Sequence, residues 1–128
     1  MKLSDYLIQY LSNLKVKKVF LITGGAVAHV VDSFRNIKGI DYVCFQHEQG
    51  AAMAAEAYSR LSGTIGVAMA TSGPGATNLI TGICCAWFDS IPALYITGQV
   101  NIDEQKRKSK VRQVGFQETD IVSMVKPI

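Results

Sequence analysis

Glu48 heads a run of small residues, HEQGAAMAAEAYSR over 47–60, that reads as one continuous helix. Along that helix the next acid is Glu56 and the first base is Arg60, with Ala51, Ala52, Ala54 and Ala55 among the residues between. A carboxyl approached by backbone and methyl groups rather than by cations is poorly solvated, which favours its neutral form. Such a group can hold and deliver a proton near neutral pH. A second special sequence, TSGPGATN at 71–78, supplies a Gly-Pro-Gly turn that can bring bare backbone close to a ligand. Simpler readings stand beside these. Glu48 could serve only to complement a helix dipole, and the turn could bind an anion or do no more than reverse the chain. The turn lacks the Gly-Lys-Ser/Thr of a P-loop, and Gly24-Gly25 lacks the remaining glycine of a dinucleotide fingerprint. His47 reads as structural, its side chain directed away from that of Glu48. Glu56 and Arg60, four apart, read as a surface or interface ion pair. Trp87 and Phe88 read as core or interface rather than as a stacking platform.

The elements that must carry these residues alternate. Leu3, Leu7, Ile8, Leu11 and Leu14 predict a first helix with Ser4 as its N-cap. Val19 to Ile22 predicts a buried strand, and Ala26 to about Arg35 a second helix. Asp41 to Phe45 is the next strand, leading into the Glu48 helix, which should stop around Ser62-Gly63. Thr64 to Ala70 and Pro92 to Thr97 are further strands, flanking a helix from about Ala76 to Phe88. Gln99 to Val114 reads as irregular loop and Glu118 to Val125 as a short helix. Short glycine-rich connections and strands apolar throughout predict an α/β fold: a doubly wound, mainly parallel sheet with helices on both faces. Ligands of such sheets bind beyond the carboxyl ends of the strands. Gly24-Gly25, His47-Glu48, Ser72 to Gly75 and Gly98-Gln99 all fall there.

At 128 residues the chain is one domain in length. It is 48% hydrophobic and only 18% charged, so part of its apolar surface should be covered by another domain or subunit. A net charge of +3 is too small to argue for nucleic acid, and much of the excess sits in Lys106, Arg107, Lys108, Lys110 and Arg112, a run that reads as solvated loop. No apolar run reaches the roughly 18 residues that a membrane span needs. Cys44, Cys84 and Cys85 lack metal-ligand spacing and read as buried, reduced thiols, as expected of a cytoplasmic protein. The close at Lys126-Pro127-Ile128, without a cap, is what a domain cut from a longer chain would show.

Four stretches together carry a family resemblance: GGAVAHVVDSF at 24–34, HEQGAAMAAEAYSR at 47–60, TSGPGATNLITGICCAWFDSIPALYITGQV at 71–100 and GFQETDIV at 115–122. The chain resembles the amino-terminal, pyrimidine-binding domain of thiamine-diphosphate enzymes, with a flavodoxin-like fold over 1–128, and within them the acetolactate synthase group. The resemblance implies that Glu48 is catalytic. It would hydrogen-bond the aminopyrimidine ring of thiamine diphosphate and relay the proton that activates this cofactor toward a 2-oxoacid. It assigns Gly25, Gly73, Pro74, Gly75 and Asn78 to cofactor binding, and Phe116 and Gln117 to a substrate channel bordering the partner subunit. It implies a homodimer or tetramer with a shared site. No Gly-Asp-Gly with a downstream Asn is present, so magnesium and the diphosphate would be held by a domain outside these residues. FAD in a longer protein stays open, as do a separate subunit of a two-chain 2-oxoacid decarboxylase and a non-catalytic nucleotide-binding module. The chain departs from the family at Leu21-Ile22-Thr23-Gly24-Gly25 and at the basic loop 106–112, which points to other 2-oxoacids or sugar-derived substrates.

Overall fold

The computed structural model describes residues 1–106 and 110–128. Four strands, β1 (Lys18–Leu21), β2 (Asp41–Cys44), β3 (Gly66–Ala70) and β4 (Ala93–Thr97), form one sheet in the order β2-β1-β3-β4. Every pairing is parallel, with Leu21 opposite Cys44 on one side and opposite Met69 on the other. The strands alternate with helices α1 (Leu3–Asn13), α2 (Ala28–Ser33), α3 (Glu48–Ser62), α4 (Pro74–Thr77) and α5 (Ile80–Phe88), and α6 (Ile121–Val125) closes the chain.

The two-residue period of the strands sorts the core into two layers. Val19, Leu21, Val67 and Met69 face Ile8 and Leu11 of α1 and Val27 and Phe34 flanking α2. Phe20, Ala68 and Ala70 face the opposite way, onto Ala51, Ala52 and Ala55 of α3 and onto Leu79. The sheet is therefore covered on both sides, as the sequence predicts. The alanines of α3 have a packing cause: Ala52 meets Gly82 of α5 so closely that α3 nests between sheet and neighbouring helix. Small residues there let two backbones approach.

Several local expectations are revised. Ser4 does not cap α1, which begins after Lys2 without a side-chain cap. Its hydroxyl instead accepts from Ser33 Oγ at 2.9 Å, tying α1 to α2. The second helix is divided, with tight 3₁₀ turns at Gly25–Val27 and Phe34–Asn36 around α2. The helix expected from Ala76 to Phe88 is broken into α4 and α5, where Leu79 N–H bonds Ala76 O in a tighter turn. Full burial of the strands holds for β3 and nearly for β1; β2 is an exposed edge and β4 is half-buried. The thiols are free but not buried, since Cys44 lies on the edge strand and Cys84 and Cys85 are half-exposed on α5. Trp87 and Phe88, 60% and 75% exposed, are not core. Within the loop expected at Gln99 to Val114, Asn101 and Glu104 form a reciprocal capping box around a 3₁₀ turn, Ile102–Glu104. Of the basic run, Lys106, Lys110 and Arg112 are exposed, while Arg107 and Lys108 lie outside the described residues.

Other expectations hold closely. Gly63, in the left-handed region at φ 66°, ends α3 where Ser62-Gly63 predicts a stop. Arg60 bonds Glu56 and reaches on to Asp89 at the end of α5, which locks α3 to α5. Among the described residues no helix is long and apolar enough to cross a membrane.

Candidate active site

In a sheet of order 2-1-3-4 the strand order reverses between β1 and β3, and the crevice beyond their carboxyl ends is where ligands bind. Both glycine-bearing loops leave from that point. They are joined by Thr71, whose Oγ1 accepts the Ala26 N–H at 3.3 Å. Thr71 is a residue the sequence reading passed over. A hydroxyl immediately after a buried strand and before a Gly-Pro-Gly turn was the available signal.

β2 delivers Glu48. Phe45 extends the ladder by donating its N–H to Leu21 O at 2.9 Å, and its ring packs edge-on against Phe20. His47 follows in extended conformation as the N-cap of α3, its Nδ1 accepting from Gln49 N–H at 3.2 Å. That ring is committed to capping, as a structural histidine would be. Glu48 is then the first residue of the helix, where the macrodipole favours a carboxylate. The dipole does not account for its side chain, which reaches the joint between α4 and α5. Asn78 Nδ2 donates to Glu48 Oε2 at 2.9 Å, and both residues are half-buried. The other oxygen, Oε1, accepts no hydrogen bond among the described residues. A Cβ placed on Gly75 would lie 3.4 Å from it and 2.8 Å from Thr71 Cγ2. Glycine at 75 therefore lets this turn pack against Thr71 and Glu48 together.

The predicted residues fall into two adjoining groups. Glu48, Gly75 and Asn78 form the first. Gly25, Phe116 and Gln117 form the second, lining with Thr71, Ser72 and Gln99 a cleft of about 500 Å³. Gly73 joins the groups, since its backbone rests on Gln117. Gly25 has open space where a side chain would stand, so this part of the cleft is free to receive a ligand. Pro74 is exposed at the first position of α4, where its missing N–H costs no helix bond. Phe116 presents its ring at 79% exposure, and Gln117 is held at φ 50°. That left-handed residue, together with a Glu118 carboxylate that accepts the Lys106 N–H at 2.7 Å, delays the last helix to Ile121.

A doubly wound parallel sheet with a lone glutamate at its switch point, fixed by a neighbouring amide and opened by glycines, defines an α/β ligand-binding domain equipped with an acid. The family model of the thiamine pyrophosphate enzyme N-terminal TPP binding domain matches residues 1–124, and the chain belongs to that family. Its relatives include the large subunit of acetolactate synthase of Lactococcus lactis, 42% identical over 125 residues, which cover 98% of this chain and 21% of that protein. The isozyme 3 large subunit of acetolactate synthase of Escherichia coli is 40% identical over 125 residues, again 98% and 21%. The acetolactate synthase of Mycobacterium avium is 44% identical over 121 residues, 94% of this chain and 18% of that protein. The chain spans about a fifth of the length of these relatives.

Proposed function

We propose that this chain binds the aminopyrimidine of thiamine diphosphate in an acetolactate-synthase-like enzyme and that Glu48 is the acid that activates the cofactor. The observation that carries the reading is the arrangement of Glu48. One oxygen is held by Asn78 at 2.9 Å, and the other is left unpaired beside Gly75. A ring nitrogen needs such a group, a carboxyl oxygen with no competing partner. Gly25 fits the same ligand, since the open space at its Cα leaves room for a flat heterocycle to approach backbone.

When bound, thiamine diphosphate supplies the electron sink that lets the bond between the carboxylate and carbonyl carbons of a 2-oxoacid break. The chain's own part is to position and to hold a proton. Glu48 would face the ring nitrogen of bound thiamine diphosphate with Oε1 and exchange a proton with it. Thr71 and Ala26 fix the two loops around the crevice. Gly73, Pro74 and Gly75 set the turn, and Phe116 with Gln117 borders the route by which substrate arrives. We place this domain within a longer cytoplasmic polypeptide, whose other parts hold magnesium and the diphosphate, acting as a homodimer or tetramer that completes the site.

The test is Glu48→Gln in the full-length protein with thiamine diphosphate and magnesium at saturation. The expected result is a fall in kcat of about 10²-fold or more, with thermal unfolding unchanged because glutamine keeps the shape. Turnover equal to that of the parent would end the proposal.

A further inference from the structure

Resting on that reading, we propose that Asn78 is a positioning residue that fixes which oxygen of Glu48 is presented to the cofactor. The Nδ2–H of Asn78 points at Oε2 over 2.9 Å, bridging two residues that are 30 apart in sequence. An oxygen that accepts this bond is held in place by it. The oxygen left for a ring nitrogen is therefore the other one. That atom is Oε1, which faces Gly75 and has no partner among the described residues. Without Asn78 the two oxygens are equivalent, and the side chain is free to rotate and to present either, or neither, to the crevice.

The break between α4 and α5 has the same meaning. Asn78 sits at the joint between these helices, its own N–H bonded to Pro74 O at 3.0 Å. Its backbone is thus anchored on the Gly-Pro-Gly turn while its side chain reaches α3. The turn that shapes the pocket and the acid that serves it are held in one frame.

The experiment uses the full-length protein and four forms: parent, Glu48→Gln, Asn78→Ala and Asn78→Leu. Leucine has the branched shape of asparagine but nothing to donate. Both Asn78 variants should lose about 10- to 100-fold in kcat, the scale of a hydrogen bond to a group that becomes charged. Their dissociation constants for thiamine diphosphate, measured by calorimetry, should rise by a smaller factor than kcat falls, because Asn78 acts on the reaction through Glu48. Crystals of cofactor-free Asn78→Ala should show the Glu48 carboxyl rotated from its parental position. Should the alanine form fail to fold, the leucine form decides. If Glu48→Gln is inactive while Asn78→Leu turns over like the parent, the inference is overturned and the role of Glu48 stands. If Glu48→Gln is itself fully active, the underlying reading falls first.

Discussion

Gly73 and Gln117 touch main chain to main chain: a Cβ built on Gly73 would stand 2.4 Å from the Gln117 carbonyl oxygen. Both residues have positive φ, 60° for Gly73 and 50° for Gln117. The contact pins the FQE segment to the Gly-Pro-Gly turn and so unites the two halves of the site. Gly73→Ala meets two obstacles at once, a backbone conformation at φ 60°, ψ −126° that side chains avoid and a clash with an oxygen that cannot swing aside. The expected loss of stability is about 2 kcal/mol or more, read by denaturant unfolding. A variant within experimental error of the parent would show that the segment shifts freely.

A second close approach joins α3 to α5. A methyl on Gly82 would lie 2.2 Å from Ala52 Cβ. Alanine ordinarily favours a helix over glycine by about 1 kcal/mol, so propensity predicts that Gly82→Ala stabilises. Overpacking costs about 1–3 kcal/mol and acts here against a backbone pressed on the sheet, so we expect it to win. Adding Ala52→Gly removes the colliding methyl and should recover part of the loss. That recovery, measured as a double-mutant cycle, separates packing from propensity.

The same crossing carries a pH signature. Tyr95 on β4 donates its hydroxyl to Gly82 O at 2.9 Å. Burial first, then the charges of Glu56 and Cys85, pushes its phenol up to about 12. The folded state thus keeps the proton where the unfolded chain, titrating near 10, has lost it. Stability from this group is whole below about pH 10 and declines as pH rises from there toward 12. Tyr95→Phe should flatten that decline and cost about 1 kcal/mol near neutrality through the unpaired carbonyl. Parallel pH curves for the two proteins would refute the assignment.

The sequence by itself determined the class of architecture. Alternating apolar strands and helices with glycine between them admit little besides a parallel sheet covered on two faces. The placing of Glu48, Gly25 and Gly73 to Gly75 at strand ends followed from local order alone. Boundaries were legible where a single residue sets them, as Gly63 does for α3. They were not legible where a distant partner intervenes. Asn78, at the joint of two helices, reaches Glu48, and Ser4 meets Ser33 instead of capping α1.

Burial was the other limit. β2 and β1 are comparable as short strands, yet one is an exposed edge and the other central, a difference set by sheet order rather than by composition. The tertiary structure alone decided that Thr71 clasps Ala26 across 45 residues, that Gly73 rests on Gln117, and that one oxygen of Glu48 is held while the other is left open. Periodicity reports only what each residue does within its own element. The chemistry depends on contacts between elements, and those exist only once the crossovers have brought β1 and β3 side by side.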